Sequence, residues 1–156
     1  MKRRLLALAG AGVVVLGLAA GAVFLGPTVL RPMMMGNVAA PTGLDMASSR
    51  LTEAGLFWVS YTPEQDPIRI NQIDSWILHI ETADGAPVTT ADIGVDGGMP
   101  QHGHGLPTRP AVAENLGGGD YRVEGIKFQM PGWWEVRFTI TADGSSDVIT
   151  FNLVLS

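Results

Sequence analysis

The sequence has no cysteine. That excludes disulfides, thiolate nucleophiles, zinc ribbons and iron–sulfur clusters. The first 31 residues have no acid either: they carry Lys2, Arg3, Arg4 and Arg31 and nothing negative. The other 125 residues hold six basic and fifteen acidic groups, an excess of nine negative charges. A folded part so acidic does not track nucleic-acid phosphates, which need clustered Lys and Arg, so nucleic acid is excluded as a partner. No sustained 3.6-residue hydrophobic period appears after residue 31, so helical bundles are excluded as well. About 125 residues can bury a sound core, but they cannot build the layered α/β frame of a cofactor enzyme. No Ser/His/Asp arrangement is present. Gly117-Gly118-Gly119 lacks the Lys and the strand–helix context of a phosphate loop. The expectation is a protein that is not an enzyme.

What is present begins with a long uncharged run. Residues 5–30 contain 19 apolar residues out of 26. As a helix the run reaches about 39 Å, enough to cross a bilayer of about 30 Å. Lys2-Arg3-Arg4 precede it directly, and positive flanks stay in the cytoplasm. The expectation is a single N-terminal transmembrane helix in the cytoplasmic membrane, with the rest of the chain in the periplasm or extracytoplasmic space. A cleaved signal peptide ending near Ala20-Gly21-Ala22 is the rival reading, and it exports the domain too. Gly17 and Gly21 form a GxxxG pair, which is a helix-packing motif but also unsurprising among five glycines.

Three segments follow from this: residues 1–31 as anchor, 32–53 as linker and 54–156 as the exported domain. The linker has Pro and Gly punctuation and no period, so it reads as a tether. It also holds Met33, Met34, Met35 and Met46. Thioethers suit Cu(I), although flexible Met side chains equally suit an interfacial segment.

From residue 54 the period becomes two. Phe57, Val59 and Tyr61 alternate with Trp58 and Ser60, and Trp76, Leu78 and Ile80 alternate with Ile77 and His79. The same pattern recurs at Tyr121–Glu124, Trp134–Ile140 and Ile149–Leu155. Asp84-Gly85 and Asp143-Gly144 are hairpin-type dipeptides. About seven short half-buried strands predict an all-β, immunoglobulin-like antiparallel β-sandwich, with a small barrel as the other architecture.

The stretch 97–110 stands apart. It holds His102 and His104 as an HxH, with Met99 three residues earlier. Residues i and i+2 of an extended chain point the same way, and the glycines around His104 let the backbone bend. Both imidazoles can then face one centre, and a thioether beside them biases the choice toward copper. Met130 is the candidate fourth ligand, with His79, a carboxylate or water as substitutes. His79 falls on an outward position of its strand and reads as a surface residue. The bland alternative is that both loop histidines bond backbone carbonyls and that Met130 is core. Trp133 and Trp134 must point to opposite faces. Trp134 belongs to the core, and Trp133 lies outward or against the long loop, where it packs on the loop, shields the HxH or forms a partner-binding patch.

The runs Met99-Pro100-Gln101-His102-Gly103-His104-Gly105 and Lys127-Phe128-Gln129-Met130-Pro131-Gly132-Trp133 resemble the YtkA-like family, which is related to FixH-like proteins. The resemblance spans about residues 56–155. It implies a small exported or membrane-anchored β-sandwich linked to copper handling or oxidase assembly, with Met99, His102, His104 and Met130 as the metal positions. Relatives often carry His between the Phe and the Met of the second motif. Gln129 stands there in this chain, which implies a weaker site or none. The reading that competes with copper is a metal-free interaction module, using the 97–110 loop and Trp133 as a contact surface for a membrane-protein partner.

Overall fold

The computed structural model describes residues 40–156. The expected anchor, the GxxxG pair and the Met33–Met35 tract lie outside the described residues. Among the described residues, no helix is long and apolar enough to cross a membrane.

Among the described residues nine strands follow in order: β1 (Ser49–Leu51), β2 (Phe57–Pro63), β3 (Ile73–Thr82), β4 (Asp92–Met99), β5 (His104–Gly105), β6 (Ala111–Gly117), β7 (Asp120–Lys127), β8 (Gly132–Ala142) and β9 (Ser145–Leu155). They form two separate antiparallel sheets rather than a closed barrel. One has the order β1-β2-β3-β7-β6 and the other β5-β4-β8-β9. The fold is all-β, as the alternation predicted.

The inward positions of the period-two runs supply the core. Trp76, Leu78 and Ile80 from β3 and Val123 from β7 are fully buried beneath Trp134, Val136, Phe138 and Ile140 from β8. Phe151 of β9 joins them. The aromatics make a connected line through this core. Phe151 meets Tyr61 edge-on at 4.8 Å, and Tyr61 stacks on Trp76 at 4.4 Å. Trp76 then meets Phe128, and Phe128 meets Trp134 edge-on at 5.2 Å. Burying a ring of this size is worth about 3–5 kcal/mol against alanine. This line carries much of the hydrophobic stabilisation and ends at the face where His104 lies.

The sandwich starts earlier than residue 54. Ser49–Leu51 pairs with β2 inside the stretch expected to be a tether. The same segment also covers the open edge of β9. The Glu53 amide donates to the Val148 carbonyl at 2.8 Å, the Arg50 guanidinium to the Thr150 carbonyl at 3.1 Å, and the Asn152 side chain to the Asp45 carbonyl at 2.9 Å. Asp147 fixes the strap's far end, accepting from the amides of Ala54 and Leu56. An 11-residue edge strand left bare would invite pairing with another chain, and this strap prevents it.

Two turns behave as their dipeptides predict. Asp143 and Gly144 both take positive φ, 50° and 76°, and close the β8–β9 hairpin. Asp84-Gly85 makes a tight turn after β3, with the Gly85 amide donating to the Thr82 carbonyl.

Candidate functional site

The HxH stretch is a turn between two paired strands. Strand β4 runs to Met99 and β5 begins at His104, so part of the expected loop is sheet. Both the His102 and Gly103 amides donate to the Met99 carbonyl at 3.0 Å, which closes the turn. Gly98 is required beneath it: a Cβ there would lie 2.6 Å from the His104 carbonyl oxygen.

The register then sets the faces. Met99 and His104 are direct cross-strand partners, and direct partners place their side chains on one face. Met99 is buried, so His104 faces inward beside it. Its ring lies 5.8 Å from that of Trp134, edge-on, at the end of the aromatic line. His104 is half-buried and His102 is exposed. Their ring centroids are 5.8 Å apart with the planes tilted by 32°.

The second motif comes to the same place. The β7–β8 connection carries Gln129, whose amide nitrogen lies 3.2 Å from Nδ1 of His104. The Gln129 amide oxygen is buried without a hydrogen-bond partner. Met130 follows. Its carbonyl accepts from the Trp134 indole N–H at 3.0 Å, and its side chain packs against the core. A cleft of about 380 Å³ opens at this end, lined in part by Met99, His104, Glu135 and Arg137.

The structure therefore gathers Met99, His102 and His104 on one turn and brings the segment of Met130 up to them. His79 is engaged elsewhere. It faces outward as expected, with Asp120 2.6 Å from Nδ1 and Glu81 3.3 Å from Nε2. Among the described residues, no group of three or more His, Cys, Asp or Glu is gathered as a metal site. A set built on the two imidazoles draws on thioethers, an amide oxygen or water rather than on a third His, Cys or carboxylate among the described residues.

Trp133 takes the outward of its two expected positions. It lies on the outer face of its sheet opposite Val154, and its indole N–H donates to Asn152 at 3.0 Å. The reason is that Asn152 is two residues along β9 from Val154, directly in reach of the indole. Trp133 and His104 thus belong to opposite faces. Gln129, already singled out in the second motif, lies 25 residues from His104 in the chain, and its contact with that ring is what sequence reasoning missed. No local spacing signals that contact.

The comparisons with known proteins agree with this fold. The profile of the YtkA-like family matches residues 59–139. The chain belongs to the YtkA-like family. The match takes in both motifs and stops within β8, so β9 and the strap complete the YtkA-like sandwich outside it. No curated protein sequence matches the chain. Among solved structures, a DUF4426 family protein from Pseudomonas aeruginosa is similar, with a TM-score of 0.51 and 14% identity over 70% of this chain and 96% of that one. That likeness concerns the fold alone. The ZirS C-terminal domain aligns with a TM-score of 0.36 and 13% identity, over 87% of this chain and 98% of that one.

Proposed function

We propose that this YtkA-like domain is a non-enzymatic copper-binding module, held outside the cytoplasmic membrane by its N-terminal segment and serving metal handling or respiratory-complex assembly. The observation that carries the reading is the 5.8 Å separation of the His102 and His104 rings beside Met99. A ring nitrogen holds a metal at about 2.0 Å, which puts the ion about 3.2 Å from the ring centroid. Two rings sharing one ion therefore lie no more than about 6.4 Å apart, and this pair fits. Imidazole with thioether is a donor set that favours copper, and Cu(I) above all. Bound there, copper would supply a carried ion or electron rather than bond-breaking chemistry. His102 and His104 would bind it, Met99 or Met130 would add the thioether, and Trp134 would keep water from one side of His104.

The strand orders β2-β3-β7-β6 and β4-β8-β9 match the ABED and CFG sheets of an immunoglobulin-like sandwich, which supports that finer description of the fold. The basic flank and the uncharged run of residues 5–30 support the membrane reading.

The test is a copper titration of the full chain in each oxidation state, with a competing chelator. About one copper per chain is expected, and His102→Ala with His104→Ala should abolish it. No uptake in either state rejects the reading. Protease protection of membrane vesicles tests the orientation, with cleavage expected from the outer side only.

A further inference from the structure

His104 is held at one of its two nitrogens. Nδ1 lies 3.2 Å from the Gln129 amide nitrogen and 3.4 Å from the Gly105 carbonyl. The other end of the Gln129 amide, its oxygen, is buried with no partner. Buried polar atoms are nearly always paired, so an unpaired one beside a candidate ligand calls for a physical reason.

We propose that Gln129 is a positioning residue for His104: its amide grips Nδ1, leaves Nε2 as the nitrogen offered to an ion, and keeps an acceptor in reserve for the ring proton. The inference rests on the reading of His104 as a copper ligand. The two contacts at Nδ1 ask for opposite tautomers: with the Gln129 N–H donating at 3.2 Å the neutral ring carries its proton on Nε2, and with the Gly105 carbonyl accepting at 3.4 Å it carries it on Nδ1, so the shorter contact favours the first. A nitrogen that holds a metal must be free of hydrogen, and a ligating His donates its other N–H to a fixed acceptor. The ring proton must then sit on Nδ1. The ring keeps one proton throughout, and only its position changes. Half a turn of the Gln129 amide brings the unpartnered oxygen to Nδ1 to accept that proton. A glutamine can serve both forms, a leucine neither, and a glutamate at neutral or alkaline pH only the second.

Long-range ¹H–¹⁵N spectra of the metal-free full chain read the tautomer directly, at about pH 8.5, above the ordinary imidazole range. The wild type should carry the His104 proton on Nε2, and Gln129→Glu should move it to Nδ1. Competition titration with Cu(I) gives the second reading. Gln129→Leu should weaken binding about 10- to 100-fold, and Gln129→Glu should restore or exceed wild-type affinity. The same tautomer in wild type and Gln129→Glu overturns the proposal. So does undiminished affinity in Gln129→Leu. If the wild type takes up no copper in either oxidation state, the copper reading fails on its own, and the tautomer comparison still decides whether Gln129 sets the ring.

Discussion

The terminal methyl of Met99 lies 2.7 Å from the point a Cβ on Gly132 would occupy. The two sequence motifs meet there, the last residue of β4 against the first of β8. Gly132 also has a φ of +130°, which side-chain-bearing residues rarely adopt. Gly132→Ala should therefore destabilise the domain by about 2–4 kcal/mol, from backbone strain and overpacking together. Met99→Ala removes the overlapping methyl, so the double variant should lose less than the two singles combined. Urea denaturation of the four proteins measures this, and strict additivity would refute the contact.

Asp147 ties the N-terminal strap to β9. Burial alone would raise its carboxyl, but the Thr52 hydroxyl and the amides of Ala54, Val148 and Leu56 outweigh burial and hold it below the ordinary range. Asp147→Ala leaves the Ala54 and Leu56 amides without their acceptor and should cost about 2–4 kcal/mol at neutral pH. A depressed acid stabilises the fold above its unfolded pKa of about 3.9, and that contribution fades as pH falls through the folded value. The gap between wild type and variant should thus narrow as the pH falls below about 4. Denaturation midpoints across that range decide it, and a constant gap rejects the assignment.

His79 carries the opposite sign. The hydrogen bond that the His79 ring donates to Asp120 raises its pKa, partial burial opposes this, and Glu81 adds to the rise. A raised base stabilises the fold fully below its unfolded pKa of about 6.5, and the contribution is lost as pH rises through the folded value. His79→Gln should lower the melting temperature more at about pH 5.5 than at about pH 9. Equal losses at both would show that the Asp120 pair contributes nothing. The pair is partly exposed, so added salt should shrink the effect.

Legibility followed burial. Strand β8 was readable because Trp134, Val136, Phe138 and Ile140 all face in while their neighbours face out. Strand β6 was not, because it is exposed along nearly its whole length and has no apolar face to show. In β4 the glycines at 94, 97 and 98 hide the alternation. Strand β1 has three residues, too few for any period. The HxH pair was visible because its members are neighbours in the chain. What orients His104 was not visible, since the β4–β5 register and the β7–β8 connection are both set by tertiary pairing.

The copper reading separates the two methionines. Met99 shares a face with His104 as its direct cross-strand partner, whereas Met130 reaches the site only by its place on the β7–β8 connection. Leucine nearly conserves methionine volume, so either substitution should cost less than about 1.5 kcal/mol of stability. It removes the sulfur all the same. Met99→Leu should weaken Cu(I) binding by about tenfold or more and leave Cu(II) binding nearly unchanged, because the thioether is a soft ligand. Met130→Leu should have the smaller effect. Competition titrations in both oxidation states check the order, alongside urea denaturation to show that the folds are intact. If Met130→Leu is the more damaging of the two, Met130 is the thioether ligand. Met99 would then be only the packing residue that its contact with Gly132 already makes it.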